Sequence, residues 1–381
     1  MRIAFIDALG WDYNVETPLT QPLGGSESAL CYLTTELARL GHEISLINGI
    51  AVPGNYAGVQ CINQNQGMDS DLLNRSDVVV VKNAGNAGMK LRQSGIRVPL
   101  VLWSHHRFDQ PAVKKLHHKQ EVDSWSGFAF VSQWAAAEYI RHFGLPPERC
   151  RVLHNGVGRP FAERQLEDPW FLGGSPPVLA YTSSPNRGLD ILLNAFPIMQ
   201  EAFPNIGLRI YSSMSIYRVP PEQDQFVELY QRGRAMLGVA YNEPIGQLQL
   251  ARELASVAAL AYPCTVPETF CLAAAEAMAV GALLVTTPLG APAELFAKFA
   301  NMVELVPGMT YRMLSESFAR LVITLLESDM RDPKAAIARR NAQIEFVRTN
   351  FAWPKIAPQW IAWLENLIGR PGNSLPTRGY V

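Results

Sequence analysis

Two glutamates, Glu268 and Glu276, flank a stretch of chain whose pattern favours phosphate binding. An apolar run precedes the stretch and an alanine-rich segment follows it, which predicts a strand, a loop and a helix beginning near Thr269–Cys271. The first backbone N–H groups of a helix have no partner within it and lie at the positive end of its dipole. We therefore expect the N–H groups of residues 270–272 to face an anion.

The two carboxylates are too far apart in the predicted helix to act on one proton. Glu276 would lie about two turns beyond Glu268, roughly 12 Å at ~1.5 Å of rise per residue. This separation suits pairs of hydroxyl groups at the two ends of one elongated ligand. An ordinary crossover helix with two solvated glutamates explains the same spacing, so the spacing alone leaves both interpretations open.

A pair of glycines follows the first predicted strand. About 17 residues without a regular pattern separate that strand from a helix predicted over Ser26–Leu40, and long loops in compact domains are commonly functional. Gly24 and Gly25 carry no side chains, so a phosphate or a sugar can approach their backbone closely. Ser26 is a suitable N-cap and Glu27 complements the helix dipole. A plain glycine turn is the alternative.

Two histidines and one arginine follow other apolar runs. His105 and His106 come after the run that begins at Pro99, where a neutral imidazole can hydrogen-bond a sugar hydroxyl or orient an acceptor. Arg187 comes after the run that begins at Pro177, and its planar guanidinium matches two oxygens of a diphosphate. Structural histidines and a surface arginine are the alternatives.

The elements that must position these residues alternate between short apolar runs and helical patterns, as in parallel sheets with crossover helices. The proline- and glycine-rich segment 159–176 divides two such series and is interpreted as a linker. We predict an α/β protein with two Rossmann-like domains, over 1–165 and 166–353. An aromatic C-terminal helix, about 354–381, is expected to pack back on the first domain. Ligands of such sheets bind beyond the carboxyl ends of the strands, which is where the candidate residues fall.

Composition restricts the class of protein. The 381 residues are 48% hydrophobic and carry a net charge of −1, which predicts a soluble protein with no general attraction to nucleic acid. No apolar stretch is long enough to span a membrane and the first residues do not form a signal peptide, so a cytoplasmic location is expected. Five scattered cysteines indicate neither a disulfide framework nor a metal site.

The pattern of Glu268, seven residues and Glu276, followed by Ala-Met and a glycine before a strand, resembles the donor-site motif of retaining glycosyltransferases with the GT-B fold, of the family 4 type. The resemblance extends over nearly the whole chain. It implies two Rossmann-like domains facing across a cleft, with Glu276 on the nucleotide ribose and Glu268 on the transferred hexose. Backbone groups implied to meet sugar and phosphate oxygens are those of Phe270, Cys271 and Leu272.

Two further segments resemble the first domain of the same family. The sequence around Gly24 and Gly25 resembles its glycine loop, which implies contact between these glycines and the donor. His105 falls at the position of the family's cleft histidine, which contacts the sugar and is not a nucleophile. His106 stands where an aspartate is common, and its contribution is left open.

The second-domain segments carry the remaining candidates. Arg187 and Ser183 resemble the phosphate loop and would lie at the diphosphate, while Ala240 and Tyr241 fall where the family places backbone groups on the base. The phosphate loop departs from the family pattern, because this chain lacks the second basic residue that is usual there. Arg187 with hydroxyl and backbone donors would then neutralise the leaving group.

The resemblance implies transfer of a hexosyl unit from a nucleotide diphosphate sugar, a UDP-sugar such as UDP-glucose, to a hydroxyl of a glycan or lipid-linked acceptor. Retention of configuration, no cofactor, no metal and a role in polysaccharide biosynthesis are expected. His105, Glu268 and Arg187 are the predicted catalytic residues. A nucleotide-sugar epimerase or phosphorylase of similar architecture, and a catalytically silent binding protein, are the alternatives.

One region of the sequence is locally basic. Between Lys82 and Lys119 eight lysines or arginines stand against a single acid, Asp109. Such a surface would attract an anionic acceptor or the anionic inner face of a membrane, which predicts peripheral membrane contact. A solvated basic face without a partner is the alternative.

Overall fold

The computed structural model describes residues 1–369, so the part of the predicted C-terminal segment from 370 to 381 lies outside the described residues. The chain forms two compact units. Unit 1 contains residues 1–17, 26–156 and 353 onward, and unit 2 contains residues 18–25 and 157–352. Within residues 1–369 no helix is both long enough and apolar enough to cross a bilayer.

Unit 1 is built on an eight-stranded sheet with the order β3-β4-β2-β1-β5-β6-β7-β8. Its strands are β1 (Arg2–Asp7), β2 (Glu43–Asn48), β3 (Gly54–Tyr56), β4 (Val59–Asn63), β5 (Val78–Lys82), β6 (Leu100–Ser104), β7 (Gly127–Phe130) and β8 (Cys150–Val152). Helix α1 (Thr17–Thr20) lies, apart from Thr17, in the segment 18–25 that belongs to unit 2. The helices of unit 1 are α2 (Gly25–Arg39, whose first residue falls in unit 2), α3 (Gln64–Gly67), α4 (Ser70–Leu73), α5 (Gly88–Gln93), α6 (Lys119–Ser124) and α7 (Gln133–Phe143).

The strand order of unit 1 reverses between β1 and β5. β1 pairs in parallel with β2 on one side and with β5 on the other, with Asp7 opposite Lys82 in the second pair. The central strands are continuous apolar runs because both faces of a parallel sheet are covered by helices. The point where strand order reverses opens a crevice at the carboxyl ends, the usual ligand position in such sheets.

Unit 2 repeats this architecture with six parallel strands in the order β11-β10-β9-β12-β13-β14. Its strands are β9 (Val178–Tyr181), β10 (Gly207–Tyr211), β11 (Val239–Asn242), β12 (Ala259–Tyr262), β13 (Leu283–Thr286) and β14 (Asn301–Met302). Its helices are α8 (Arg159–Ala162), α9 (Leu189–Ala202), α10 (Val227–Ala235), α11 (Gln247–Ala255), α12 (Leu272–Ala279), α13 (Pro292–Leu295), α14 (Tyr311–Arg331) and α15 (Pro333–Asn350). Strand order reverses between β9 and β12.

The main part of unit 2 begins at Val157 instead of the expected 166, and it ends at Ala352, one residue before the expected 353. The segment interpreted as a linker is part of this unit. The reason is that side chains of α15 hold this segment: Arg340 donates to the carbonyl of Glu167, and Arg348 donates to those of Phe161 and Arg164. Proline and glycine content indicated irregular backbone correctly, but it carried no signal for these hydrogen bonds.

The last described helix, α16 (Trp353–Leu367), packs in unit 1. The ring of Trp360 lies 5.0 Å from that of Trp103 at the end of β6, in an edge arrangement, and Trp353 lies against the same indole at 6.5 Å. Gly127 leaves room for Trp363, because a Cβ there would lie only 3.0 Å from its ring. The apolar face of this helix is therefore buried on the sheet of unit 1.

Candidate active site

An arginine and a glutamate meet at the point where strand order reverses in unit 2. Arg187 lies in the loop after β9 and Glu268 lies in the loop after β12, and a guanidinium nitrogen of Arg187 is 2.5 Å from Glu268 Oε1. The hydroxyl of Tyr262, at the end of β12, donates a hydrogen bond to the same oxygen. The two residues predicted to contact diphosphate and hexose therefore form one charged cluster.

The electrostatics of this cluster follow from its burial. Glu268 raises the pKa of Arg187 well above its ordinary value and outweighs the opposing effect of desolvation. Burial, and then the charge of Glu268, raise the pKa of Tyr262 well above its ordinary value, so the phenol stays protonated and donates. The cluster is thus a carboxylate stabilised by one guanidinium and one hydroxyl, with the thiol of Cys264 as a weaker donor at 3.9 Å.

The loop from Thr182 to Gly188 is held close to β12. The hydroxyl of Ser183 lies 3.3 Å from that of Tyr262, and Arg187 Nε donates to Ser184 Oγ at 3.2 Å. Gly188 has a φ of +99°, and a Cβ at this position would collide with the carbonyl oxygen of Pro263. Glycine is therefore required where this loop enters α9.

The helix after Glu268 begins later than expected, at Leu272. Cys271 precedes it with a φ of +77°, a left-handed conformation that is unfavourable for a residue with a Cβ. The ring of Phe270 packs against Phe296 and Phe351 and anchors the loop. The helix thus starts one residue beyond the expected Thr269–Cys271, because the chain first makes this left-handed turn, which residue types alone did not indicate.

Glu276 lies in the second turn of α12 and is almost completely buried, with 7% of its surface exposed. Gln247 Nε2, at the start of α11, donates to Glu276 Oε1 at 2.8 Å. Burial raises the pKa of Glu276 to about 7, although the hydrogen bond from Gln247 opposes the shift. A carboxyl that titrates near neutrality and is held by one amide is a candidate acceptor for ribose hydroxyls.

The two residues expected near the base lie on β11, the edge strand of the sheet. Ala240 is exposed there. The hydroxyl of Tyr241 donates to the carbonyl of Ser212 at 3.0 Å, and the guanidinium of Arg234 lies 5.0 Å from its ring centre. The side chain of Tyr241 is thus engaged within the unit, which leaves its backbone as the group a ligand could meet.

A buried lysine lies at the point where strand order reverses in unit 1. Lys82 Nζ lies 3.1 Å from Asp7 Oδ2 and also forms an ion pair with Glu27. The phenol of Tyr13 donates to Asp7 at 2.5 Å. These two anions outweigh desolvation and raise the pKa of Lys82, so this buried side chain stays charged.

The basic region of the sequence is consequently less uniform than expected. Lys82 is enclosed by its ion pairs, and Arg92 donates to the carbonyls of Ile96, Val98 and Ser124. These two cations hold unit 1 together and do not contribute to a positive surface. Exposed lysines remain at the other end of the region.

His105 follows β6, and its ring Nε2–H donates a hydrogen bond of 3.0 Å to Asn155 Oδ1. The ring of Trp103 lies 4.5 Å from it. Burial, with a smaller contribution from the charge of Lys82, lowers the pKa of His105 to about 3. The imidazole is therefore neutral at physiological pH, as expected for a hydrogen-bonding group.

His106 is held through its backbone carbonyl. Its carbonyl accepts a hydrogen bond of 3.0 Å from the hydroxyl of Tyr139. Burial and the charge of Lys82 lower the pKa of its imidazole, so this ring also favours the neutral form.

The helix that follows Gly24 and Gly25 is not capped as expected. Helix α2 begins at Gly25, so Ser26 lies in the first turn and is not the N-cap. Its hydroxyl donates to Glu27 at 2.9 Å, and Glu27 is ion-paired with Lys82 rather than solvated at the helix end. Gly25 is exposed and a Cβ there would lie 3.2 Å from Leu272.

Several site residues were not singled out from the sequence. They are the hydrogen-bonding partners of the predicted residues: Asn83, Asn155, Gln247 and Tyr262. Asn155 carries a local signal, because an Asn-Gly step is typical of a turn. Within residues 1–369 no three His, Cys, Asp or Glu side chains are grouped so that they could hold a metal ion.

Comparison with known proteins places both units. Residues 176–328 match the family described as glycosyl transferases group 1, and residues 68–158 match glycosyltransferase family 4. A D-inositol 3-phosphate glycosyltransferase of Streptomyces coelicolor is 27% identical over 205 residues, which is 48% of this chain and 44% of that protein. The match thus spans less than half the length of this curated relative.

Solved structures share the fold over almost the whole chain. A glycosyltransferase from Rickettsia africae has a TM-score of 0.73 at 14% identity, covering 98% of this chain and 99% of that one. HepE of Anabaena, solved in complex with UDP-glucose, has a TM-score of 0.69 at 19% identity, covering 96% and 100%. The prediction of two parallel-sheet domains of the GT-B type is therefore confirmed.

The matches over residues 68–158 and 176–328, together with the two parallel sheets, lead to one assignment: these two segments match the models of glycosyltransferase family 4 and of the glycosyl transferases group 1, and the fold of the chain is GT-B.

Proposed function

We propose that this protein transfers a hexosyl unit from a nucleotide diphosphate sugar, with UDP-glucose as the favoured donor, to a hydroxyl group of an acceptor. The observation that carries the proposal is the placement of Arg187, Glu268 and Glu276 in unit 2. The first two meet where strand order reverses, and the third is buried on the helix that follows. Support for the donor comes from the similar fold of HepE, which was solved with UDP-glucose.

Each donor part then has a matching group in unit 2. Glu276 and Gln247 would bind the ribose hydroxyls, because a carboxylate accepts two hydrogen bonds and the amide fixes its position. Arg187 and the first N–H groups of α12 would bind the diphosphate. Glu268 would accept hydrogen bonds from the hexose, and Ser183 would add a donor near the phosphates.

The chemical step that we propose is departure of the diphosphate with retention of configuration. The bond from the anomeric carbon to the diphosphate oxygen breaks, the acceptor oxygen bonds to that carbon, and its proton leaves with the departing phosphate. Arg187 and the helix N–H groups stabilise the charge that develops on the leaving group, which is commonly the dominant electrostatic contribution. We propose that no metal ion and no further cofactor take part.

The first test is a thermal shift panel of nucleotides and nucleotide sugars, followed by assays of free UDP. A shift by UDP and UDP-glucose, with UDP released only when a glycan or lipid-linked acceptor is added, supports glycosyl transfer. Conversion of UDP-glucose to an isomeric donor indicates an epimerase. Sugar phosphate formed on addition of inorganic phosphate indicates a phosphorylase.

A silent binding protein is the remaining alternative, and the single basic residue of the phosphate loop is the observation that favours it. Tight UDP binding without turnover against any acceptor would identify that case. Activity that survives chelation by EDTA, and an α-linked product from the α-linked donor, check the absence of a metal and the retention of configuration.

We also propose that the acceptor is reached at an anionic membrane surface on the cytoplasmic side, in polysaccharide assembly. A basic face is formed by the exposed residues Lys114, Lys115, His117, His118 and Lys119, of which only Lys119 is ion-paired, with Asp123, among the contacts of residues 1–369. Each lysine near an anionic leaflet contributes about 1 kcal/mol of binding.

Sedimentation with vesicles tests this second proposal. Binding to vesicles that contain phosphatidylserine, and at least tenfold weaker binding by K114E/K115E, is expected. A double reversal of exposed charge in unit 2, K298E/K334E, is the matched control and should bind as the wild type does. Equal binding to uncharged phosphatidylcholine vesicles would reject an electrostatic role for this face.

A further inference from the structure

Asn83 follows β5 directly and adopts an uncommon backbone conformation. Its φ is +58°, in the left-handed region, and the residue is buried with 7% of its surface exposed. Among residues with a Cβ, asparagine tolerates this region best, but it still costs about 1 kcal/mol. Strained residues of this kind concentrate at functional sites, where the surrounding structure holds them in place.

The side chain of Asn83 joins two segments of unit 1. Its Oδ1 accepts a hydrogen bond of 2.7 Å from the backbone N–H of His105, and its Nδ2 donates to Ser26 Oγ at 3.4 Å. Its own N–H donates to the carbonyl of Trp103 at 2.9 Å, which continues the pairing of β5 with β6. The left-handed turn directs the amide between the two segments.

The hydroxyl of Ser26 is a junction in this network. It accepts from Asn83 and, at 3.5 Å, from Lys82 Nζ, and it donates to Glu27. The same lysine bonds Asp7, at the end of β1. These partners fix the orientation of the Asn83 amide. The N–H of His105 needs an acceptor, which is the amide oxygen. The hydroxyl of Ser26 already donates its proton to Glu27, so its oxygen needs a donor, which is the amide nitrogen.

We propose that Asn83 is a positioning residue for glycosyl transfer: it holds Ser26, which follows the glycine pair, at a fixed separation from His105, the histidine of unit 1 that is predicted to contact the sugar. This inference rests on the proposed function. A purely structural turn would need only a glycine at this φ, whereas the observed residue uses both ends of its amide on these two segments.

The variant Asn83→Gly tests the proposal, because glycine adopts the same φ without strain and removes both side-chain bonds. Its matched control is Asn74→Gly, which also removes two bonds in unit 1, from Asn74 Nδ2 to the carbonyl of Gly95 and from the N–H of Arg97 to Asn74 Oδ1. Asn83→Ala loses the same two bonds as the test variant but adds backbone strain.

We expect N83G to lower kcat by roughly 100-fold, the scale of an ~1 Å misplacement of a reacting group. The affinity for UDP alone, which unit 2 would bind, should change by less than about threefold, within the scatter of a surface change. N74G should keep kcat within about twofold on the same ground. N83A should have a lower melting temperature than N83G. Its kcat, calculated per molecule able to bind UDP, should equal that of N83G.

Two results would overturn the inference. One is a kcat of N83G within threefold of that of N74G. The other is a loss of kcat that follows the melting temperature across N83G, N83A and N74G, since this would indicate a structural role only.

A wild-type protein that transfers to no acceptor would refute the proposed function instead, and hydrogen exchange then decides the role of Asn83. The amides of residues 24–27 should exchange at least tenfold faster in N83G than in N74G. Equal exchange in the two variants would show that Asn83 does not hold the glycine loop.

Discussion

Arg187 and Glu268 are bound to each other, with 2.5 Å between guanidinium nitrogen and carboxylate oxygen, at the reversal of strand order in unit 2. Both residues were selected from the sequence as contacts for different parts of one ligand. In this ion pair each residue neutralises the other. On the proposed function, a diphosphate would compete with Glu268 for the arginine, and the carboxylate would become available for sugar hydroxyls as the arginine turns to phosphate.

This relationship predicts a result for Arg187→Ala. Removal of the arginine leaves the carboxylate of Glu268 buried with the hydroxyl of Tyr262 and the weakly donating thiol of Cys264 as its donors, so we expect a loss of about 1–3 kcal/mol in the free energy of unfolding. The turnover number should fall about 100- to 1000-fold, because a stabilising donor at the leaving group is gone. Denaturant unfolding and steady-state kinetics measure both effects.

The control for Arg187→Ala is Arg209→Ala, which breaks the more exposed pair of Arg209 with Glu253 in the same unit. It should cost less than ~1 kcal/mol and leave turnover unchanged. Equal kinetic effects in the two variants would contradict a specific role for Arg187.

Because of Glu276, we expect the stability of the protein to fall and its affinity for UDP to rise as pH increases. Its pKa is raised from 4.5 to about 7 in the folded protein, so the folded state holds this proton more tightly than the unfolded state does. Stability should fall as pH rises from ~4.5 through ~7, by about 3 kcal/mol in total. The affinity for UDP should rise over pH 6–8, because the ionised carboxyl is the better acceptor for ribose hydroxyls.

Glu276→Gln separates these two effects. The amide does not ionise, so the variant should be more stable than the wild type at pH 8 and about equal to it at pH 4.5. Its UDP affinity should be weaker and should keep only the pH dependence that comes from the terminal phosphate of UDP, whose second pKa is about 6. Calorimetric titration and thermal unfolding at three pH values check this. A pH-independent UDP affinity in the wild type would remove the assignment of Glu276 to the ribose.

His105 should act without a change of charge. Its pKa is lowered to about 3, so the pH–rate profile between pH 5 and 8 should show no inflection that His105→Asn removes. The low pKa also affects stability, because the folded protein holds the neutral imidazole of His105. Its contribution to the free energy of unfolding is fully present above the unfolded pKa of 6.5 and is lost as pH falls below that value. His105→Ala should reduce transfer far more than UDP affinity. His117→Ala, at an exposed position, is the control, and normal transfer by His105→Ala would make His105 structural.

The left-handed conformation of Cys271 predicts which substitutions the start of α12 accepts. Cys271→Gly should unfold at or above the wild-type temperature, because it relieves about 1–2 kcal/mol of backbone strain. Cys271→Val should destabilise the protein and weaken UDP binding, since a β-branched residue is strongly disfavoured there. Cys150→Val, at a position with a φ of −94°, is the matched control. A stable, tightly binding C271V would show that the turn is not needed.

The sequence predicted the residues at the ends of strands better than it predicted the partners of those residues. Apolar runs fix where a parallel strand ends, so the positions of His105, Arg187 and Glu268 follow from the pattern alone. The ion pair between Arg187 and Glu268 joins loops 81 positions apart in the chain, and no local pattern encodes it. Lys82 shows the same limit, because charge counting assigned it to the surface while Asp7 and Glu27 enclose it.

Backbone conformation was the second reason why the structure differs from the prediction made from the sequence. Cys271 and Asn83 have positive φ angles although neither is glycine, so the search for glycines at turns did not find them. The delayed start of α12 follows from the first of these residues. Both positions are held by tertiary contacts, which a local pattern of residue types does not contain.

The placement of α16 also sets the order in which the protein is completed on the ribosome. Unit 1 starts with the first strand, yet its sheet is covered by a helix that ends at Leu367. At about 5–20 residues per second, the strands of this unit wait tens of seconds for Trp360 to reach Trp103. The unit encoded in the middle of the gene can finish folding first. Nascent chains stalled before residue 353 should therefore present an uncovered indole to chaperones, and C-terminal truncation should damage the N-terminal half of the molecule.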